Sequence, residues 1–274
     1  MQNSSKSVKS RGVLVFAINS KTVDYVAIAD NTSRLISHNL QLPVTLVTDD
    51  AGNPKFPYDS IIRISSSGGT YRHDSKKNII EWKNFDRYLA EELSPYNETI
   101  LLDTDYLVLD DSLLKLFDTE FDYKLMHYNN TADGVSYSEM GVTSLPFVWA
   151  TVVLFRKTQR AKLFFNLVGR IQRNYDYYRS LYNVREGNYR NDYAFAIANC
   201  ILSGYTVTDT QGIPWPMFTV EKAIEKIVVS KNFVKVCHAD DAIVIPYSNI
   251  HVMDKKYLQS SDFAQLVKAI CEPI

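Results

Sequence analysis

Two aspartates break an apolar run in the first half of this 274-residue chain, which reads Ile100-Leu101-Leu102-Asp103-Thr104-Asp105-Tyr106-Leu107-Val108-Leu109. A bare carboxylate among apolar side chains is costly unless it is paired or binds a metal. An Asp-x-Asp at a strand end offers hard oxygen ligands to Mg²⁺ or Mn²⁺, ions that are often shared with substrate phosphates. The plainer alternative is a turn between two strands, because Asp-Thr-Asp tolerates turn geometry.

The elements around these residues alternate. Gly12 to Asn19 is an apolar run with a polar end, and it reads as a buried strand. Thr22 to Asn39 carries an irregular apolar stripe and reads as a helix. Val44 to Val47 is a second strand running into Thr48-Asp49-Asp50, and Ile61 to Ile64 is a third. Ser65 to Thr70 is a Ser/Gly loop. Trp82, Phe85, Leu89 and Leu93 recur at helical spacing, which predicts a helix over 76–93 bounded by Pro95. The Asp103 strand follows. This order predicts an α/β domain with a mixed, mostly parallel central sheet flanked by helices. In such sheets ligands gather at the carboxyl ends of the strands. Asn19, Asp49 and Asp103 all end apolar runs, so all three could border one crevice.

The second half predicts strands at Tyr123–Tyr128 and Phe147–Phe155, separated by a long polar segment, 129–146, that reads as a mobile loop or lid. Phe164, Leu167, Val168, Ile171, Tyr175, Tyr178 and Tyr182 mark one long helix. Asn191-Asp192 open another, and short strands are expected near Tyr205, Ala242 and Asn249. No repeat or linker appears. The expectation is one domain over 12–274, with a disordered tail at 1–11.

Composition excludes several classes. The net charge is −1, with 46% hydrophobic and 22% charged residues, which is ordinary for a globular domain. Cys200, Cys237 and Cys271 are far apart and odd in number, so they form neither a zinc spacing nor a disulfide framework. They favour a reducing compartment, which makes little of the sequons at Asn31, Asn97 and Asn129. With no signal-peptide or membrane-spanning run, a cytoplasmic location is expected.

The order of these pieces resembles the GT-A class of nucleotide-sugar glycosyltransferases over most of residues 12–256. VLVFAIN resembles its first strand, VTLVTDD its second and ILLDTDYLV its metal strand. FVWATVVLFRK resembles the strand under the acceptor site, and RNDYAFAIAN the helix with a late acidic residue. IHVMDKK resembles the late His-x-x-x-Lys element. Two departures stand out. The Gly and Pro-Trp that some branches place within that last element are missing, and Ala150-Thr151 stands where those branches carry Asn-Ser-Gly. The chain also resembles, less closely, phage-encoded GT-A proteins, some of which add a sugar such as arabinose to hydroxymethylcytosine in DNA.

The resemblance implies a nucleotide-sugar-binding half at 12–110 and an acceptor-binding half at 111–274. It also implies a donor that is a nucleotide diphosphate sugar, expected to be a UDP-sugar, and a Mn²⁺ or Mg²⁺ ion that lowers the barrier to diphosphate departure as a Lewis acid. Asp105 becomes the first candidate for direct metal ligation, with Asp103 binding the ribose or the metal through water. His251 could complete the metal shell, with His238 as its rival. A satisfied core histidine is the plainer reading of His251. Lys255 or Lys256 could neutralise the diphosphate, or simply form a solvated turn. Asn19 and Asp49 would contact the nucleoside; Arg72, Lys76 and Lys77 could meet the diphosphate or form an exposed basic helix start. Asp192 is the candidate catalytic carboxylate, and the same placement suits a helix cap.

Residues 156–190 hold nine Lys or Arg against Asp176 and Glu186. Arg170, Arg173, Arg179, Arg185 and Arg190, interleaved with tyrosines, suit phosphate neutralisation and base stacking on a DNA acceptor. An amphipathic helix with Tyr175, Tyr178 and Tyr182 on its buried side is the competing view. Trp215 could line a pocket or form a structural corner. Two other functions compete: a nucleotidyltransferase, against which the missing Gly-rich GxGxRxx signature counts, and a nucleic-acid-binding module without catalysis.

Overall fold

The computed structural model describes residues 9–49, 52–65, 69–73, 79–131, 136–137, 145–185, 187–205 and 211–272. Its centre is a six-stranded sheet. Strands β1 (Lys9–Phe16), β2 (Val44–Thr48), β3 (Ser60–Arg63) and β6 (Tyr96–Leu102) run parallel, and β11 (Trp149–Arg156) pairs antiparallel with β6. With β8 (Tyr123–Met126) at the edge, the order is β3-β2-β1-β6-β11-β8. The α/β expectation therefore stands, and strand parity explains the layers. Val13, Val15, Ile100 and Leu102 face helix α1 (Tyr25–Leu40), while Leu14, Phe16, Leu101, Val153 and Phe155 face α3 (Gln159–Arg173) and α5 (Asn191–Leu202). Each buried Leu, Val or Phe contributes about 1.5–3 kcal/mol. Helix α1 starts where the Asp24 carboxylate accepts from Ala27 N at 3.0 Å. Gly12 is needed because a Cβ there would run into the Tyr96 ring.

A second sheet, in the order β10-β9-β12-β16-β7, is built from β10 (Ser136–Tyr137), β9 (Asn129–Thr131), β12 (Met217–Val220), β16 (Ile250–Val252) and β7 (Tyr106–Leu107). Asp103-Thr104-Asp105 is the link from β6 in the first sheet to β7 in the second. It is also a turn, with Tyr106 N donating to Asp103 O at 3.2 Å. The two readings of this tripeptide are thus compatible. A three-stranded antiparallel unit, β13 (Lys226–Val229), β14 (Phe233–Cys237) and β15 (Ala242–Pro246), packs with α6 (Lys255–Leu258) and α7 (Ser261–Cys271) in a third apolar cluster.

Several elements differ from expectation. β1 begins at Lys9 rather than Gly12, because Arg11 pairs across the strands with Glu98 at 2.6 Å. The helix expected over 76–93 is replaced. A hairpin joins β4 (Thr70–His73) to β5 (Ile79–Trp82), then a 3-10 turn (Asp86–Leu89) leads into the one-turn α2 (Ala90–Leu93). Ile79 and Ile80 are β-branched and favour the hairpin over a helix. The single helix expected through Tyr182 breaks at Asn174, whose side chain donates to Arg170 O at 2.9 Å and competes with the ladder; α4 (Tyr175–Leu181) then starts afresh. The segment 129–146, expected as a mobile loop or lid, contributes β9 and β10, and its positions 132–135 and 138–144 lie outside the described residues. Tyr205 itself closes the end of α5, its N–H donating to Cys200 O at 2.9 Å; for the strand expected near it, positions 206–210 lie outside the described residues. Among the described residues no helix is long and apolar enough to cross a membrane.

Candidate functional site

Around Asp103 the site is built from four separate segments. Asp103 N donates to Thr151 O at 3.0 Å, anchoring the end of β6 to β11. The Asp103 carboxylate accepts from the Arg87 guanidinium and, at 3.3 Å, from Asn84 Nδ2. Arg87 is 1% exposed and also donates to Ala150 O at 2.6 Å. Asp192, in the first turn of α5, accepts from Ala150 N at 3.0 Å and pairs with Arg190 at 2.9 Å. The peptide of Ala150 is open to these side chains because β11 skips register against β8 between Trp149 and Val153. Irregularities of this kind often aim side chains at a site. Asn191 Nδ2 donates to Asn84 O at 2.9 Å, tying the start of α5 to the turn that carries Arg87.

Charge keeps this arm together. Burial pulls the Arg87 pKa down to about 10, opposed by Asp192 and Asp105, so the guanidinium stays charged at neutral pH. Burial, followed by Asp192, pushes the Tyr189 phenol above its ordinary value. Tyr189 is therefore a neutral donor, here to Asn191 Oδ1 at 3.1 Å.

The Asp105 arm has a different construction. Asp105 Oδ2 meets the Lys255 ammonium and lies 3.3 Å from His251 Nε2. Lys255 begins α6, whose N-cap Asp254 accepts from Lys256 N at 3.0 Å. His251 is the central residue of β16, held from behind by Thr219 Oγ1 at 3.3 Å from its Nδ1. Burial opposes ionisation of Asp105, but Lys255 and then His251 outweigh it and hold the carboxyl well below its usual range. Its other oxygen, Oδ1, is buried and has no hydrogen-bond partner among the described residues. An ionised oxygen left in that state is costly. A divalent cation is a chemically fitting partner for it, with the imidazole of His251 alongside. Among the described residues no three His, Cys, Asp or Glu side chains gather into a preformed cluster. Asp103 is instead turned to Arg87, and an ammonium rests on Asp105.

Other expected residues are placed as follows. His238 is apart from this arrangement, its Nδ1 set 2.7 Å from Ala223 O beside the three-stranded unit. Asn19 Oδ1 accepts from Val26 N at 3.0 Å and so supports the start of α1. Asp49 follows β2, and its backbone carbonyl accepts from Arg63 at 2.8 Å. Arg72 belongs to β4; Lys76 and Lys77 lie outside the described residues. Asp192 does not cap its helix: Arg190 occupies the cap position, and the carboxylate is turned to β11. Tyr175, Tyr178 and Tyr182 pack on the core, as an amphipathic helix requires. Arg179 pairs with Asp176 at 2.8 Å, and Arg190 is held at Asp192. Arg170, Arg173 and Arg185 are exposed. Trp215 packs against the α1-side core. A 420 Å³ cleft lined by Tyr88, Glu91, Lys157 and Phe165 shares no residue with the site. Sequence reasoning missed Arg87 and Asn84, along with Thr219 behind the imidazole. The one available signal was a charged Arg87 between Phe85 and Leu89 on an apolar stripe.

No known protein family and no characterised protein matches the chain by sequence. Solved structures do match in shape. An active-site mutant of LgtC superposes with a TM-score of 0.50 at 14% identity, covering 94% of each chain. The galactosyltransferase LgtC bound to donor and acceptor sugar analogs gives 0.48 at 14% identity, covering 95% of each. The glycosyltransferase GlyE of Streptococcus pneumoniae TIGR4 gives 0.44 at 16% identity, covering 75% of this chain. The chain spans 46% of GlyE, less than half its length. At these identities the likeness to LgtC is one of fold, and the fold is of the GT-A type.

Proposed function

We propose that this chain is a glycosyltransferase moving a sugar from a nucleotide diphosphate donor, with a UDP-sugar expected, to an acceptor hydroxyl. The observation that carries the reading is Asp105. One of its oxygens is buried and unpartnered among the described residues, the other faces a cation and an imidazole, and all of this lies at the link between two sheets of a GT-A-type fold. Asp105 and His251 are the proposed ligands of Mn²⁺ or Mg²⁺, with Asp103 beside them. When bound, the ion supplies positive charge to the departing diphosphate. Lys255 then leaves Asp105 and offers its ammonium to the same phosphates. Arg87 keeps Asp103 and Asp192 at a fixed spacing across the Ala150 peptide. Asp192 is the proposed catalytic carboxylate, meeting the acceptor hydroxyl once Arg190 gives way.

The test is turnover across a panel of nucleotide sugars with Mn²⁺, scored as nucleotide diphosphate release. Asp105→Ala should abolish release while the fold survives. Wild-type-like turnover by that variant in EDTA would end this reading. Release of pyrophosphate from a nucleoside triphosphate would instead identify a nucleotidyltransferase.

A DNA acceptor, including arabinosyl transfer to hydroxymethylcytosine in phage DNA, rests on the exposed Arg170, Arg173 and Arg185 beside Tyr177, which is 65% exposed. Substituting Arg173 and Arg185 together should weaken DNA modification and spare donor hydrolysis. Equal loss of both activities counts against a DNA acceptor. Salt-sensitive DNA binding that ignores metal and donor would favour a binding module without catalysis.

A further inference from the structure

The His251 imidazole has a supporting chain whose proton order can be read from its chemistry. Strands β9, β12 and β16 run parallel, with Met217 opposite Asn129 and Thr219 opposite His251. Residues two apart on a strand share a face. The register therefore brings the Asn129, Thr219 and His251 side chains together, all three buried. Thr219 Oγ1 lies 2.6 Å from Asn129 Oδ1 and 3.3 Å from His251 Nδ1.

A threonine hydroxyl has one proton and two lone pairs, and a carboxamide oxygen has only lone pairs. The Thr219 proton must therefore go to Asn129. What remains for His251 is a lone pair, so Nδ1 must carry a proton. A neutral imidazole has only one N–H. In that neutral form Nε2 holds the lone pair, and it is the nitrogen that faces Asp105 Oδ2 at 3.3 Å. The Lys255 ammonium rests on that same oxygen.

We propose that Thr219 and Asn129 are positioning residues that fix His251 with its proton on Nδ1 and its Nε2 lone pair presented to a cation at Asp105. The proposal deepens the metal-dependent reading of this site. It adds that the acceptance of a cation is set one layer behind the ligand, by a hydroxyl and an amide that touch neither metal nor substrate.

The test has two arms. In the first, histidine is labelled with ¹⁵N, and two-bond nitrogen–proton correlations are recorded without metal at a pH about two units above the ordinary histidine pKa of about 6.5. His251→Asn assigns the resonance. Wild type should show the His251 proton on Nδ1. Thr219→Val, close in shape and unable to accept, should lose that preference, and Thr219→Ser should keep it. A proton on Nε2 in wild type overturns the proposal, whatever the metal does.

The second arm titrates Mn²⁺ into the full chain without nucleotide. Thr219→Val should weaken binding by about 10–100-fold, with Thr219→Ser close to wild type. Unchanged affinity in Thr219→Val overturns the proposal. If wild type itself binds no Mn²⁺, the metal reading of the site fails, and the labelled-histidine arm still decides the order of protons.

Discussion

The two aspartates of one tripeptide are neutralised in opposite ways. Asp103 faces an arginine that is 1% exposed and tied by a second bond to Ala150 O. Asp105 faces a lysine at the start of a four-residue helix, whose ammonium also donates to Met253 O at 3.2 Å and Val252 O at 3.4 Å, and one of the Asp105 oxygens has no partner among the described residues. Arginine is a rigid fork and is weakly hydrated, whereas a lysine ammonium is a point charge on a flexible chain. The Asp103 counter-charge is therefore part of the architecture, and in the proposed function the Asp105 counter-charge is the exchangeable one. A site that must release its cation to a substrate needs the second kind, and it needs the first kind to keep its walls still.

The sharpest way to break this comparison is Arg87→Met. It leaves Asp103 and Asp192 without their shared buried cation, and it should cost about 3–5 kcal/mol of stability in denaturant titrations. A loss under about 1 kcal/mol would mean that Asp103 is not held as described. On the other arm, Asp105→Asn should cut sugar-nucleotide turnover by about a hundredfold or more while the protein stays folded. Unfolding instead would make Asp105 a structural residue like Asp103.

Lys255→Met sharpens the contrast. If the ammonium competes for Asp105, its removal should tighten Mn²⁺ binding without donor by about tenfold, read by calorimetry, while turnover falls. Weaker Mn²⁺ binding would deny the exchange. The same variant has a pH signature. The folded Asp105 carboxyl is held below its unfolded value of about 3.9. Its contribution to stability is therefore complete above that value and is lost as pH falls through the folded one. Wild type should exceed Lys255→Met at neutral pH, and the two should converge in acid below about pH 4; a constant gap would count against the pair. The smallest effect belongs to Arg179→Ala. Its partner Asp176 is 87% exposed, so the change should stay within about 0.5 kcal/mol.

What was legible in the sequence follows the same division. Asp103 and Asp105 stood out as carboxylates that break an apolar run, and Asp192 as the acidic residue that opens a helix. His251 and Lys255 were singled out by order along the chain, and the structure brings both to Asp105. Arg87 was hidden because its counter-charges are remote in sequence and its neighbours mimic a helical stripe. Trp82, Phe85, Leu89 and Leu93 keep helical spacing across a strand, a 3-10 turn and one helical turn. Such spacing does not by itself make a helix. Asn19 was expected to meet a nucleoside, and its side-chain oxygen also supports the first turn of α1. The central sheet was legible because strands such as β2, β8 and β11 are buried on both faces and read as apolar runs. β12, β13 and β14 were not foreseen, since short half-buried strands carry little pattern.

The most direct test of the account is binding of UDP to wild type and Asp105→Asn, measured by calorimetry with Mn²⁺ and again with EDTA. The account predicts that wild type binds UDP in Mn²⁺ and loses most of that affinity in EDTA, while Asp105→Asn binds weakly in both. Equal UDP affinity in all four titrations would contradict it, because Asp105 would then hold no ion that the diphosphate needs.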